Sequence, residues 1–132
     1  MGGVRVLLDT HAVLWAIAEP DRLGDEARTV VGDAATEVMV SSATAWELST
    51  KARLGKLPAA AALLGSYHRQ IARLGANELP MTSEHALLAG SLDWPHRDPF
   101  DRMVAAQSLL EGMPLVTCDP AFSSLAGLRL IW

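Results

Sequence analysis

Short apolar runs alternate with longer amphipathic segments along the chain, which predicts strands and helices in turn. Strands are expected where aliphatic residues lie between polar turns, at 4–8, 37–40, 77–81, 115–117 and 128–132. Helices are expected at 12–18, 25–35, from 41–44 to 53, and at 58–74, 83–90 and 100–111. Strands separated by helices are joined by crossovers, so this order predicts a parallel sheet in a single α/β domain spanning residues 1–132.

Composition and charge limit the classes of function. Half of the 132 residues are hydrophobic and 20% are charged, which is typical of a globular core rather than a disordered chain. The net charge of −4, from 15 acids against 11 Lys and Arg, argues against a protein that grips nucleic acid with a broad basic surface. A nuclease remains possible, because bound metal and a few local cations can receive phosphate.

The single cysteine and the first apolar stretch indicate the compartment. Cys118 has no second cysteine for an internal disulfide, and no Cys/His group has zinc-site spacing. The apolar stretch at 4–18 is interrupted by Asp9, Thr10 and His11, so we expect neither a signal peptide nor a membrane span. The default expectation is a cytoplasmic protein that does not associate with membrane.

Several acidic residues follow predicted strands or open predicted helices: Asp9, Glu47, Asp98, Asp101 and Asp119. The carboxyl ends of parallel strands and the helix starts that follow them share one edge of a sheet, where ligands bind. Carboxylates gathered within a few Å repel one another unless a cation neutralises them. Ligands that are all oxygen suit Mg²⁺ or Mn²⁺ better than zinc, so these acids predict a divalent metal site.

Asp101 would belong to such a site only if its helix begins beside that edge of the sheet. Ala105, Ser108 and Gly112 follow it at helical spacing as a stripe of small residues. A stripe of this kind lets a helix approach its neighbour closely, which would draw Asp101 inward rather than into solvent.

Helix capping is the alternative explanation for the same acids, and the sequence alone leaves it open. Asp98-Pro99 and Asp119-Pro120 each place a capping acid before a proline at the first helical position. The segment from Thr44 to Glu47 matches a capping box, and Glu47 is also spaced to pair with Lys51 one turn later.

Four segments in a fixed order resemble the PIN-domain family, with a pattern similar to the VapC-type toxins of bacterial toxin–antitoxin pairs. They are LLDTH at 7–11, SSATAWEL at 41–48, HRDPFDRMVAAQ at 96–107 and LVTCDP at 115–120. The resemblance implies a three-layer α/β/α sandwich with a central parallel sheet. It also implies an endoribonuclease that uses Mg²⁺, or Mn²⁺, to activate water, is restrained by a cognate antitoxin and usually forms a homodimer.

The acidic positions of the family fall on four residues of this chain: Asp9, Glu47, Asp101 and Asp119. Asp98 belongs to the Asp-Pro-Phe-Asp form of the third motif, where it either supports the metal site from outside or caps the helix. RNA as the substrate follows from the resemblance alone.

Four further residues beside these acids are candidates for contact with substrate. Arg97 and Arg102 flank the acidic cluster and are placed to steer phosphate, although arginines of this kind also form surface ion pairs. Thr10 and His11 are placed to orient Asp9 or the attacking water, and a histidine without catalytic duty is equally compatible with the sequence.

The tryptophans are the candidates for core packing and for partner contacts. Trp46 is expected in the core, whereas Trp15 and Trp94, on a short helix and a loop, are expected to include a residue that faces an antitoxin or a second subunit.

Two other functions remain as alternatives. One is a catalytically silent PIN-like module for binding or assembly, in which the acids serve only as caps. The other is a metal-dependent phosphatase with an aspartate nucleophile, which His11 disfavours because such enzymes need a second acid at that position.

Overall fold

In the computed structural model, which describes residues 4–132, the five predicted strands form one sheet. They are β1 (Arg5–Leu8), β2 (Glu37–Ser41), β3 (Asn77–Leu79), β4 (Leu115–Val116) and β5 (Leu130–Ile131). The order is β3-β2-β1-β4-β5 and every neighbouring pair is parallel. The predicted parallel sheet is therefore confirmed, and residues 1–3 of the predicted domain lie outside the described residues.

Seven α-helices occur within residues 4–132, and most lie where the sequence predicts them. They are α1 (Thr10–Ala18), α2 (Asp25–Gly32), α3 (Ser42–Arg53), α4 (Pro58–Leu64), α5 (Tyr67–Arg73), α6 (Ser83–Ser91) and α7 (Pro99–Glu111). Short 3₁₀ helices at Pro20–Arg22 and Pro120–Ser124 follow α1 and β4. None of the helices in this part of the chain combines the length and apolar character needed to cross a bilayer.

The single helix predicted over 58–74 is wrong, because Gly65 and Ser66 separate α4 from α5. The two halves of its apolar stripe pack in different places. Leu63 of α4 joins Leu14 and Leu48 in one cluster, whereas Ile71 of α5 packs against the sheet. A straight helix would not serve both clusters, and Gly65 weakens the helix at the point where it breaks.

The sheet is covered by helices on both faces, because side chains alternate along each strand. Val6 and Leu8 of β1 point into a cluster that includes residues of α1, α2 and α5. Leu7, between them, points into a second cluster with Val104 and Ala105 of α7. The three-layer α/β/α architecture is confirmed.

The stripe of small residues on α7 is shorter than predicted. Ala105 and Ser108 are buried within the helix. Gly112 lies beyond its last turn as the C-cap, at φ 65°, a left-handed conformation that glycine adopts without strain.

The strand order places a topological switch point between β1 and β4. The chain builds outward from β1 through β2 to β3, then returns to add β4 on the other side of β1. The segments that follow the two strands, α1 and the 3₁₀ helix at 120–124, pack into the clusters on opposite faces. In open parallel sheets a crevice opens where neighbouring connections diverge in this way, and ligands bind there.

Candidate active site

Asp9 lies at this switch point, and its carboxylate is held by one group of α1 and by one that follows β4. It follows β1 directly and caps α1, where its Oδ1 accepts a hydrogen bond of 2.8 Å from the backbone N–H of Ala12. Its Oδ2 accepts from the hydroxyl of Thr117, just after β4. Only 9% of Asp9 is exposed, and burial is the main reason its pKa is raised. The carboxylate is fixed in position and costly to ionise without a compensating positive charge.

Thr117 also connects Asp9 to Asp119. Its hydroxyl donates to Asp9 and accepts the backbone N–H of Asp119 at 3.0 Å. Asp119 is exposed, and after burial its negative charge adds to the upward shift of the Asp9 pKa. The acids that follow β1 and β4 therefore share one electrostatic environment.

Glu47 reaches the same region from α3. That helix begins at Ser42 with Ser41 as its cap, so the capping box predicted from Thr44 is wrong and Glu47 lies in the second turn. Its Oε1 accepts from the Thr10 hydroxyl, and its Oε2 lies 2.5 Å from Nζ of Lys51, which confirms the predicted pair. Glu47 is 5% exposed, so both partners act on a buried carboxylate.

Asp101 lies in the first turn of α7, close enough to Glu47 for the charge of Glu47 to affect its ionisation. Burial is the main cause that raises the pKa of Asp101 to about 6. The hydrogen bond with His96 opposes this shift, and the negative charges of Asp98 and Glu47 add to it. Its Oδ2 lies 2.6 Å from Nε2 of His96, in the loop before the helix. His96 therefore supports the Asp101 carboxylate.

Besides Asp9, which caps α1, Asp98 and Asp119 are helix caps, as the alternative explanation predicts. Oδ1 of Asp98 accepts the backbone N–H groups of Phe100 and Asp101 at 2.9 and 3.2 Å. Oδ1 of Asp119 accepts the N–H of Ala121 at 2.9 Å. Capping uses one oxygen of each carboxylate, so it does not exclude a second role for the other oxygen.

The donor set matches a hard divalent cation in its chemistry, although the carboxylates are not yet arranged around one point. Within residues 4–132, no group of three or more His, Cys, Asp and Glu side chains has the arrangement of a metal site. Each oxygen of Asp9 and Glu47 accepts one hydrogen bond and keeps a second lone pair. Burial is the main cause of the raised pKa values of Asp9 and Asp101, and a bound cation would stabilise the charged form of each carboxylate. Oxygen-only ligands fit Mg²⁺ or Mn²⁺, and binding would require a different arrangement of these carboxylates.

Lys51 supplies positive charge within this group of acids. Burial by itself lowers the pKa of Lys51, but the hydrogen bond to Glu47 and the negative charges of Glu47, Asp98 and Asp101 raise it above its usual value. The ammonium group therefore remains charged and partly neutralises three of the acids.

The contacts of Arg102 give it a structural role, and its predicted contact with substrate stays a prediction. Its three guanidinium nitrogens donate to four backbone carbonyls at 2.7 to 2.9 Å, those of Ala89, Leu92, Trp94 and His96. These bonds tie the loop before α7 to that helix and hold His96 near Asp101. Arg102 therefore stabilises the loop.

The other candidate substrate residues differ in their surroundings. Thr10 is buried and positions Glu47 through its hydroxyl. His11 is exposed, and its ring lies 5.7 Å from that of Trp15. His11 also lowers the pKa of Asp9 by its charge, an effect smaller than those of burial and of the hydrogen bonds to Asp9. Arg97 is exposed, and its contact with RNA stays a prediction.

The structure leaves Trp15 as the candidate for a partner contact, and the prediction that Trp46 lies in the core is wrong. Trp94 is 5% exposed and its indole N–H donates to Oγ of Ser124 at 3.0 Å, so it packs in the core rather than facing a partner. Trp46 is 55% exposed instead of buried. The inward face of α3 carries Ala43, Thr44, Glu47 and Leu48, and this face leaves Trp46 on the outside of the helix.

Sequence reasoning missed His96 and Thr117 as supports of the acids. Thr117 carried a detectable signal, since it is a hydroxyl residue between an aliphatic strand and an acid. His96 carried none, because its distance from Asp101 depends on the path of a loop that no periodicity describes.

Comparison with known proteins identifies the family of the chain. The PIN domain family matches residues 6–128, so the chain belongs to the PIN-domain family. No curated protein matches the sequence.

Solved structures of toxin–antitoxin proteins share this fold. DNA-bound VapBC from Salmonella typhimurium is similar at a TM-score of 0.69 and 23% identity, with 96% of each chain covered. VapBC2 from Rickettsia felis, bound to a promoter DNA fragment, is similar at a TM-score of 0.68 and 16% identity, and the match covers 96% of this chain and 97% of the other. VapC20 from Mycobacterium tuberculosis, a sarcin–ricin loop cleaving toxin, is similar at a TM-score of 0.57 and 16% identity. The match covers 94% of this chain and 98% of the other. At these identities the similarity establishes the fold.

Proposed function

We propose that the protein is a metal-dependent endoribonuclease and the toxin of a toxin–antitoxin pair, acting on RNA in the cytoplasm. The observation that carries this proposal is the position of Asp9 at the switch point of a PIN fold. There its carboxylate is hydrogen-bonded to the end of β4 and is influenced by the charge of Asp119. The negative charge of Glu47 likewise adds to the raised pKa of Asp101. Capping alone does not require these acids to influence one another.

The residues divide into those that hold the metal and those that position the holders. Asp9 and Asp101 would hold the divalent ion, Mg²⁺ or Mn²⁺, and Glu47 and Asp119 would complete its surroundings directly or through water. Bound by these residues, such an ion would supply a more acidic water and positive charge to offset that of the phosphodiester. Thr117 orients Asp9, Thr10 orients Glu47 and His96 orients Asp101 through the contacts described above.

The antitoxin is supported by similar structures and by a groove on the surface. The similar proteins from Salmonella and Rickettsia are complexes named VapBC. A groove of about 500 Å³ between α1 and α4 is lined by apolar residues that include Leu14, Trp15 and Leu63, and it reaches His11, two residues from Asp9. We propose that an antitoxin segment occupies this groove, and that the protein forms a homodimer.

The test is cleavage of structured RNA in Mg²⁺. Wild-type protein should cut the RNA, and Asp9→Asn should not. The matched control is Asp33→Asn. Asp33 is exposed in the turn before β2, at the end of the sheet away from Asp9, and Asn retains the turn.

A generic phosphomonoester in parallel separates the alternative functions. Release of phosphate without RNA breaks would favour the phosphatase. Neither activity, from a protein that still binds a partner, would favour the silent module.

A further inference from the structure

Trp46 is a large aromatic side chain that the fold leaves in solvent beside the acids. It precedes Glu47 on α3, and 55% of its surface is exposed. Single exposed apolar residues are common on protein surfaces, so exposure alone indicates nothing. The surroundings of Trp46 distinguish it.

Phe100 of α7 extends this aromatic surface across the gap between two helices. Its ring centroid lies 4.8 Å from that of Trp46, and the planes meet edge to face at 79°. Phe100 precedes Asp101 just as Trp46 precedes Glu47, so the pair sits over the two helices that carry these acids. The contact fixes the indole, and its exposed fraction leaves ring surface available for a further contact.

The charge of the chain makes such a contact useful to an RNA-binding protein. A net charge of −4 provides little of the electrostatic attraction on which most nucleic-acid binding depends. Stacking of a base on an aromatic ring contributes about 1–3 kcal/mol per base and needs no basic surface. Unpaired RNA bases are free to stack in this way, whereas paired bases are not.

We propose that Trp46 and Phe100 form a stacking platform for an unpaired RNA base next to the phosphodiester that is cut. This proposal rests on the proposed ribonuclease function and adds to it a contact that positions one base of the substrate. The platform binds and positions the nucleotide, and it takes no part in the chemical step.

The experiment measures RNA binding in the cleavage-deficient Asp9→Asn background. The probes are a fluorescein-labelled oligoadenylate and a strand of the same length whose sugars are abasic, read by fluorescence anisotropy. Trp46→Ala should weaken binding of oligoadenylate about tenfold or more, equivalent to at least ~1.4 kcal/mol of lost stacking. It should leave binding of the abasic strand unchanged, because that strand offers no base to stack.

Two further variants serve as controls. Trp46→Phe should recover part of the affinity for oligoadenylate, which a purely structural role on the helix would not require. Leu87→Ala removes another exposed apolar side chain, 74% exposed on α6, and should leave both affinities unchanged.

Three results would overturn the platform: equal affinity of Trp46→Ala and its parent for oligoadenylate, equal losses for both strands, or no RNA binding by the parent protein. Sedimentation adds a fourth. A dimer that Trp46→Ala converts to monomer, with RNA affinity intact, would assign the patch to an interface between copies of this chain. Cleavage by wild-type protein is measured separately, so failure of the platform is distinguishable from failure of the nuclease.

Discussion

The ammonium group of Lys51 lies 2.5 Å from Oε2 of Glu47, and it is charged within a group of acids that includes Asp98 and Asp101. In the metal-free protein this lysine partly neutralises carboxylates that would otherwise repel one another. A divalent cation and Lys51 therefore stabilise the same negative charge.

Removing Lys51 should make the protein more dependent on metal. Lys51→Met should lower the stability of the EDTA-treated protein by about 1 kcal/mol, because Glu47 loses its partner. Thermal unfolding should then show a larger rise in Tm on addition of Mn²⁺ than wild-type protein shows. The control is Lys56→Met, since Lys56 is exposed and lies beyond the end of α3. Equal metal-induced shifts in wild type and Lys51→Met would contradict the idea.

The ionisation of Asp101 should appear in the pH dependence of stability. Its pKa is about 6 in the folded protein and 3.8 as the ordinary value, so the folded state binds this proton more tightly. The contribution of Asp101 to the stability of the folded protein therefore falls as pH rises from about 4 to about 6. Above that range the ionised carboxylate destabilises the folded state by its full amount. Asp101→Asn in EDTA should have a higher Tm than wild type at neutral pH.

That advantage of Asp101→Asn should disappear near pH 4, where the wild-type carboxyl is protonated in the folded state. Thermal melts across this range measure the difference. An advantage of the same size at every pH would show that it does not come from the ionisation of Asp101.

Asp98 and Asp101 should separate stability from activity. Asp98 caps α7 with hydrogen bonds to Phe100 and Asp101, so Asp98→Ala should lower the free energy of unfolding by about 1 kcal/mol and retain RNA cleavage. Asp98→Ser keeps a capping oxygen and should recover most of that stability. Asp101→Ala should abolish cleavage. Comparable losses of activity from Asp98→Ala and Asp101→Ala would show that this division of roles is mistaken.

The two arginines beside the acids should give opposite phenotypes. Arg102→Met leaves four backbone carbonyls without their donor and should cost about 3 kcal/mol in denaturant unfolding. Arg97→Met, at an exposed position, should change stability by less than about 0.5 kcal/mol. If Arg97 contacts phosphate, its loss should also reduce the salt dependence of RNA binding by about one unit of slope. A stable Arg102→Met protein would exclude the structural role assigned to that side chain.

The fold was largely predictable because its strands are short aliphatic runs with polar ends. Val6, Leu7 and Leu8 form such a run, and the same pattern places Asp9 at the end of a buried strand. The break between α4 and α5 was not predictable, since the apolar stripe continues through Gly65 while its two halves pack against different partners.

The candidate acids could be found from motif order, but their supports and neighbours could not. Trp46 was misplaced because hydrophobicity predicts burial, whereas α3 turns Thr44 and Glu47 inward and leaves the indole outside. A carboxylate on the buried face and an indole on the exposed face reverse the usual pattern of an amphipathic helix. The contacts of Arg102 and His96 depend on the path of a loop, which residue type and spacing do not specify.

The convergence of the acids on a divalent cation is tested most directly by calorimetric titration of Mn²⁺ into metal-free protein. Wild-type protein and Asp33→Asn should bind Mn²⁺ saturably and alike. Asp9→Asn, with its fold confirmed by circular dichroism, should lose that binding. Normal Mn²⁺ binding by folded Asp9→Asn would contradict the assignment of this site.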